Sequence, residues 1–132
     1  MKSRDTLVRL KRFQAEEKRR RVAQIDAMIA EFSRMAADLD REIANEEQRT
    51  GVGDPAHFAY STYARAARTR RDNLHNSVEE LRVQLDEAKA RFEDANVELA
   101  KAQSMDVRDR GTEVVRDRAD ASAIASLRPA GA

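Results

Sequence analysis

The sequence predicts an all-α protein, folded as a long antiparallel two-helix coiled-coil hairpin. Three observations point there. Two long runs place apolar residues at alternating steps of three and four, one strong break separates them, and blocks of opposite charge face each other once the chain folds at that break. Composition agrees: of 132 residues 37% are charged and 5% aromatic, with four glycines, two prolines and no tryptophan, too little bulk for a thick core. At 41% apolar, the chain can still fill a narrow seam between helices.

The first helix is expected over about residues 3–48. Val22, Ile25, Ile29, Phe32, Ala36, Leu39 and Ile43 keep the 3-4 spacing without exception. The residues between them are mostly Ala, Gln, Glu, Lys and Arg, all good helix formers. Towards the N-terminus the pattern degrades. The same register places Lys18, Ala15, Lys11 and Val8 in the seam, and a shift to Leu7 and Leu10 brings in Gln14, Glu17 and Arg21 instead. Neither choice is apolar through residues 11–21, so Leu7, Val8, Leu10 and Phe13 need cover that no single register gives all four. Either this is a frayed end whose long charged side chains lie along the apolar ones, or it is an end shaped to sit inside another protein.

The break lies in RTGVGDPAH, residues 49–57, with the turn itself at 49–55. Gly51 and Gly53 allow the positive φ angles that end a helix. Asp54 followed by Pro55 reads as an N-cap with proline at the first helical position. The second helix is then expected over about residues 56–103. Its register runs Leu74, Val78, Leu81, Leu85, Ala88, Phe92, Ala95, Leu99 and Ala102, and extends back through Tyr60, Ala64 and Ala67 with Arg71 as the interruption. Residues 1–103 thus form the hairpin. Residues 104–132 form a helical extension running past Gly111 and a flexible tail, ASAIASLRPAGA.

Charge tests the antiparallel arrangement independently. Residues 1–24 carry nine Lys/Arg against three Asp/Glu, and residues 25–48 carry two against seven. Folding about residue 52 lays the basic Arg9–Arg21 segment beside the acidic Glu79–Glu98 segment. It also lays Glu31–Glu47 beside Arg65, Arg68, Arg70 and Arg71. Each exposed pair contributes only about 0–1 kcal/mol, so the blocks select register and direction more than they add stability.

The same sequence excludes much chemistry. With no cysteine there is no disulfide, thiolate nucleophile or thiolate metal site. No glycine-rich phosphate loop occurs, and His57 and His75 lie too far apart for a helical metal pair. A two-helix hairpin offers no concavity for catalysis unless a partner supplies one, so a non-enzymatic protein without cofactors is expected. No apolar run reaches the ~18 residues of a membrane span, and the N-terminus lacks a secretory apolar region. A cytoplasmic protein is expected. Lys18, Arg19, Arg20 and Arg21 are consecutive and fan around the helix axis, and no aromatic platform accompanies them. Nucleic acid is therefore not an expected partner.

One further feature exceeds what a hairpin needs. HFAYSTYA, residues 57–64, gathers Phe58, Tyr60 and Tyr63, half of the six aromatic residues, beside the turn. They can plug the end of the seam, or they can anchor a partner protein, where Tyr and Phe concentrate. Tyr60 falls in the seam register while Phe58 and Tyr63 do not.

Two segments, MKSRDTLVRLKRFQAEEKRRRVAQIDAMI with its LxxLKRFQxxEKRR stretch and REIANEEQRTGVGDPAHFAYSTYARAA with its DPAHFAY segment, resemble the FliJ family of bacterial flagellar type III export proteins, in its alphaproteobacterial form. By architecture the resemblance covers roughly residues 1–105. It implies an antiparallel coiled coil similar to the stalk of rotary ATPases. It further implies a non-catalytic stalk and adaptor whose paired ends enter the hexameric export ATPase and promote its assembly and activity. The hairpin would also contact the cytoplasmic domain of the membrane export gate, and export chaperones would be further partners. Such a protein is peripheral at the inner face of the cell membrane. Carried onto this chain, Leu7, Leu10, Phe13, Arg19, Arg20 and the stretch after Leu99 form the ATPase-facing end, and Phe58, Tyr60 and Tyr63 lie near the gate-facing tip. A coiled-coil scaffold of another secretion or cell-division system is the alternative.

Overall fold

A computed structural model describes residues 2–126, which form two α-helices and no strand: α1, Lys2–Thr50, and α2, Thr62–Ser126. The helices run antiparallel and pack side by side, the all-α pairing that the periodicity and the charge blocks predict. Helix α2 passes through Gly111 without a break. Of the expected flexible tail, residues 121–126 instead continue α2, and residues 127–132 lie outside the described residues. The chain divides into two compact units, one of Met1–Lys18 with Phe92–Ala132 and one of Arg19–Arg91.

The Arg19–Arg91 unit has the apolar seam. Ile25 is buried with Leu81 and Ala88, and Val22, Ile29, Phe32 and Leu85 pack around them. A second cluster joins Leu39, Ile43 and Ala67, with Leu74 against it. All of these belong to the two 3-4 registers, because only such spacing keeps one stripe of a helix against its neighbour. Arg71, the interruption, stays half-buried and reaches across to Asp40 at 3.0 Å. Arg68 lies 3.7 Å from Glu47. Both pairs realise the predicted meeting of the acidic and basic segments. They are displaced, however, from the register that folding about residue 52 would set, because the loop is longer than expected.

That length comes from the start of α2. Helix α1 ends as predicted, with Gly51 at φ +74° and its N–H bonded to the Glu47 carbonyl at 2.9 Å. Asp54 accepts the Ala56 N–H at 2.9 Å as a cap would, but the cap serves a single turn closed by His57 N–H to the Asp54 carbonyl. The Tyr60 N–H then bonds the His57 carbonyl, and the His57 Nδ1 takes the Ala59 N–H, both at 3.0 Å. These bonds divert the N–H groups that would have propagated a helix. Helix α2 therefore begins at Thr62 and not near residue 56, and its N-cap is Ser61, whose Oγ accepts the Ala64 N–H at 3.2 Å.

In the other unit the seam changes character. Its buried apolar residues are two alanines, Ala15 and Ala102, among the described residues. Val8, Lys11, Phe92, Ala95, Leu99, Asp106, Asp109 and Glu113 are half-buried along the same line. Of the two registers that the sequence left open, the pair thus uses the one through Val8, Lys11 and Ala15. Charged pairs take over from apolar contacts: Arg4 bonds Asp109, Arg110 reaches Asp5 at 2.7 Å and Asp106 at 3.2 Å, and Lys11 stands 4.0 Å from Glu98. The second oxygen of Asp106, Oδ1, is buried without a hydrogen-bond partner.

Candidate partner-binding sites

The turn of the Arg19–Arg91 unit is held by a compact set of polar bonds. The Tyr60 ring is buried, 5% exposed, and its hydroxyl donates to Glu47 at 2.7 Å. Burial, followed by this bond to a carboxylate, raises the tyrosine pKa above its ordinary value. The Arg65 guanidinium lies over the Tyr60 ring, 5.5 Å from its centre, and bonds the Pro55 carbonyl at 3.2 Å. Ser61 donates to Glu46, which also holds Arg49, and these two bonds keep the Glu46 carboxyl below its usual range.

Of the aromatic cluster, then, Tyr60 faces inward and seals the seam. It offers no surface to a partner. Phe58 does the opposite. It is 95% exposed, backed only by the stacked His57 ring at 4.7 Å. Tyr63 is also exposed, its hydroxyl on Glu42 at 3.1 Å, which raises its pKa. Phe58 is thus a bulky ring left in water on a turn held by many bonds.

The Met1–Lys18 and Phe92–Ala132 unit carries the other candidate residues. Leu7, Leu10 and Phe13 are 36%, 49% and 55% exposed, because the seam passes through Val8 and Lys11 instead. At ~100° per residue these three side chains turn away from the seam in steps of ~60°, and Phe13 points nearly opposite it. Further exposed apolar residues lie on α2. Val97 and Val115 share the direction away from the seam, Val107 and Val114 share one flank, and Met105 lies on the other. Apolar side chains therefore ring this helix pair on every side, where solvated helices place charges.

Arg19 and Arg20 are exposed on α1 within the Arg19–Arg91 unit. The sequence singles out none of these α2 residues individually, only the stretch after Leu99 that the resemblance assigns to this end. The signal was present in the seven-residue spacing of Val107 and Val114, one position past the seam register. Among the described residues no group of three or more His, Asp or Glu side chains is placed to hold a metal, and no helix is long and apolar enough to cross a membrane. No known family, curated protein or solved structure matches the chain.

Proposed function

We propose that this chain is a non-catalytic stalk and adaptor of the flagellar type III protein export apparatus, related to the FliJ family. In this reading it binds and promotes the hexameric export ATPase and links it to the cytoplasmic domain of the export gate and to export chaperones. It acts in the cytoplasm, peripheral to the membrane. The observation that carries the reading is the ring of exposed apolar side chains around the paired ends, with Leu7, Leu10 and Phe13 left out of a seam that instead accepts Lys11. A helix pair with apolar residues on all sides suits a partner that encloses it, as a hexamer does. A partner docking on one face would need them on that face only. The exposed Phe58 supports a second contact at the turn, and the sequence resemblance supplies the identity of both partners.

The test is ATP hydrolysis by the purified export ATPase with the full-length chain added. Stimulation is expected, and it should fall at least tenfold on deleting residues 1–21 or in the Leu10→Ala/Phe13→Ala variant. A wild-type chain that neither binds nor stimulates the ATPase would remove the reading.

A further inference from the structure

One flank of the Met1–Lys18 and Phe92–Ala132 unit holds an open groove of about 470 Å³. Val8 and Asp106 lie at its base, Arg9 and Arg12 come from α1, and Gln103, Val107 and Arg110 come from α2. On α2 the residues Gln103, Val107, Arg110 and Val114 follow one another at steps of four, three and four, a second coiled-coil line one position past the seam. On α1 Asp5, Arg9 and Arg12 hold the matching line at steps of four and three. A helix whose flank repeats its own heptad pattern has room for a second neighbour, and the notch between two antiparallel helices accepts a third.

The chemistry of the two walls differs. On α2 Val107 is 69% exposed and Val114 continues it, so that wall asks for apolar contact. On α1 Arg9 and Arg12 enter none of the ion pairs that cross to α2 among the described residues, although Arg110 and then Arg9 help hold the Asp5 carboxyl below its ordinary value. The lining sets Arg9, Arg12 and Arg110 against two carboxylates, Asp5 and Asp106, and so keeps one net positive charge. We infer that the groove receives an acidic amphipathic helix of a partner protein, lying with its apolar residues on Val107 and Val114 and its carboxylates on Arg9 and Arg12. A lone phosphate or a nucleic acid backbone would leave the valines in water and meet Asp5 at close range. This surface shares Val107 and Val114 with the apolar ring of the ATPase reading but adds Arg9 and Arg12, which that reading does not use.

The experiment uses the isotope-labelled full-length chain and two synthetic helical peptides of about three heptads. One has leucine on a single face bordered by glutamate, and the other has lysine at every glutamate position. The acidic peptide should shift amide signals of residues 5–12 and 103–114 and bind less well as salt rises. In Arg9→Glu/Arg12→Glu, and separately in Val107→Asp, its affinity should fall at least tenfold. The lysine peptide should bind the Arg9→Glu/Arg12→Glu variant better than it binds wild type. All three positions are exposed, and circular dichroism verifies that helix content is kept. The inference is overturned if the acidic peptide leaves those signals unmoved at about 1 mM, if both peptides bind wild type alike, or if the charge-reversed variant binds the acidic peptide unchanged. ATPase stimulation is read separately, so a failed groove and a failed stalk reading give different results.

Discussion

At residue 51 the chain leaves α1 with φ at +74°, and an added Cβ would meet nothing within 4 Å. The cost of any other residue there is conformational alone. Gly51→Ala should lower stability by about 1 kcal/mol, measured as a reduced midpoint in urea. Nine residues on, Tyr60 buries its ring in the seam and adds one hydrogen bond through its hydroxyl. Tyr60→Phe removes the donor to a half-buried Glu47 and should cost about 1 kcal/mol, while Tyr63→Phe, whose bond to Glu42 is exposed, should cost close to nothing. The pH dependence distinguishes them further. The folded state raises the Tyr60 pKa, so its stabilising contribution is present below the ordinary tyrosine value and is lost as pH rises through the folded one. The alkaline limb of a stability profile should therefore flatten in Tyr60→Phe. Gly51 was legible in the sequence because a helix stop needs only local geometry. The role of Tyr60 was half legible: its register showed that it would be buried, but not that Glu47, thirteen residues back, would take its hydroxyl.

Among the elements, α1 and the seam half of α2 could be read because burial repeats with the helix itself. Ile25, Leu39, Ile43, Ala67, Val78, Leu81 and Ala88 all occupy register positions and are all buried. The start of α2 could not be read the same way. Asp54–Pro55 carries a genuine capping signal, yet the Asp54 side chain caps a turn, and His57 and Ser61 decide where the helix begins. Several local signals compete there, and the Tyr60 hydroxyl bond to Glu47 holds the residue before Ser61 against the end of α1. Past the hairpin, Gly111 lies inside α2 with open space around it. Glycine there has no turn to serve and costs helix stability, so Gly111→Ala should gain about 0.5–1 kcal/mol. The gain should appear as added helical ellipticity and slower amide exchange over residues 104–118, with nothing displaced by the new methyl.

For the molecule as a whole, the two units should open at different free energies, because their seams are built from different chemistry. In the Arg19–Arg91 unit two clusters, built on Ile25 with Leu81 and on Leu39 with Ile43, are shielded from water. In the other, two alanines are buried and charged pairs share the line with a carboxylate oxygen that has no partner. Such pairs contribute little in water and weaken with salt. Native-state hydrogen exchange should thus show two classes of amide, with residues 5–15 and 95–110 exchanging faster than residues 22–43 and 64–88. Acid sharpens the contrast. Arg110 holds the Asp5 carboxyl below its ordinary value, so its contribution is present above the unfolded carboxylate range and is lost as pH falls through the folded one. Lowering the pH towards 3 should speed exchange at residues 5–15 more than at residues 22–43. Asp106→Leu supplies the opposite change. It removes an orphaned oxygen that costs about 1–3 kcal/mol and adds apolar surface to the seam. Protection of residues 5–15 should then rise roughly tenfold or more, while residues 22–43 stay as they were. If Asp106→Leu slowed exchange in both sets equally, the chain would be opening as one cooperative body, and the weakness of its charged end would belong to the whole hairpin.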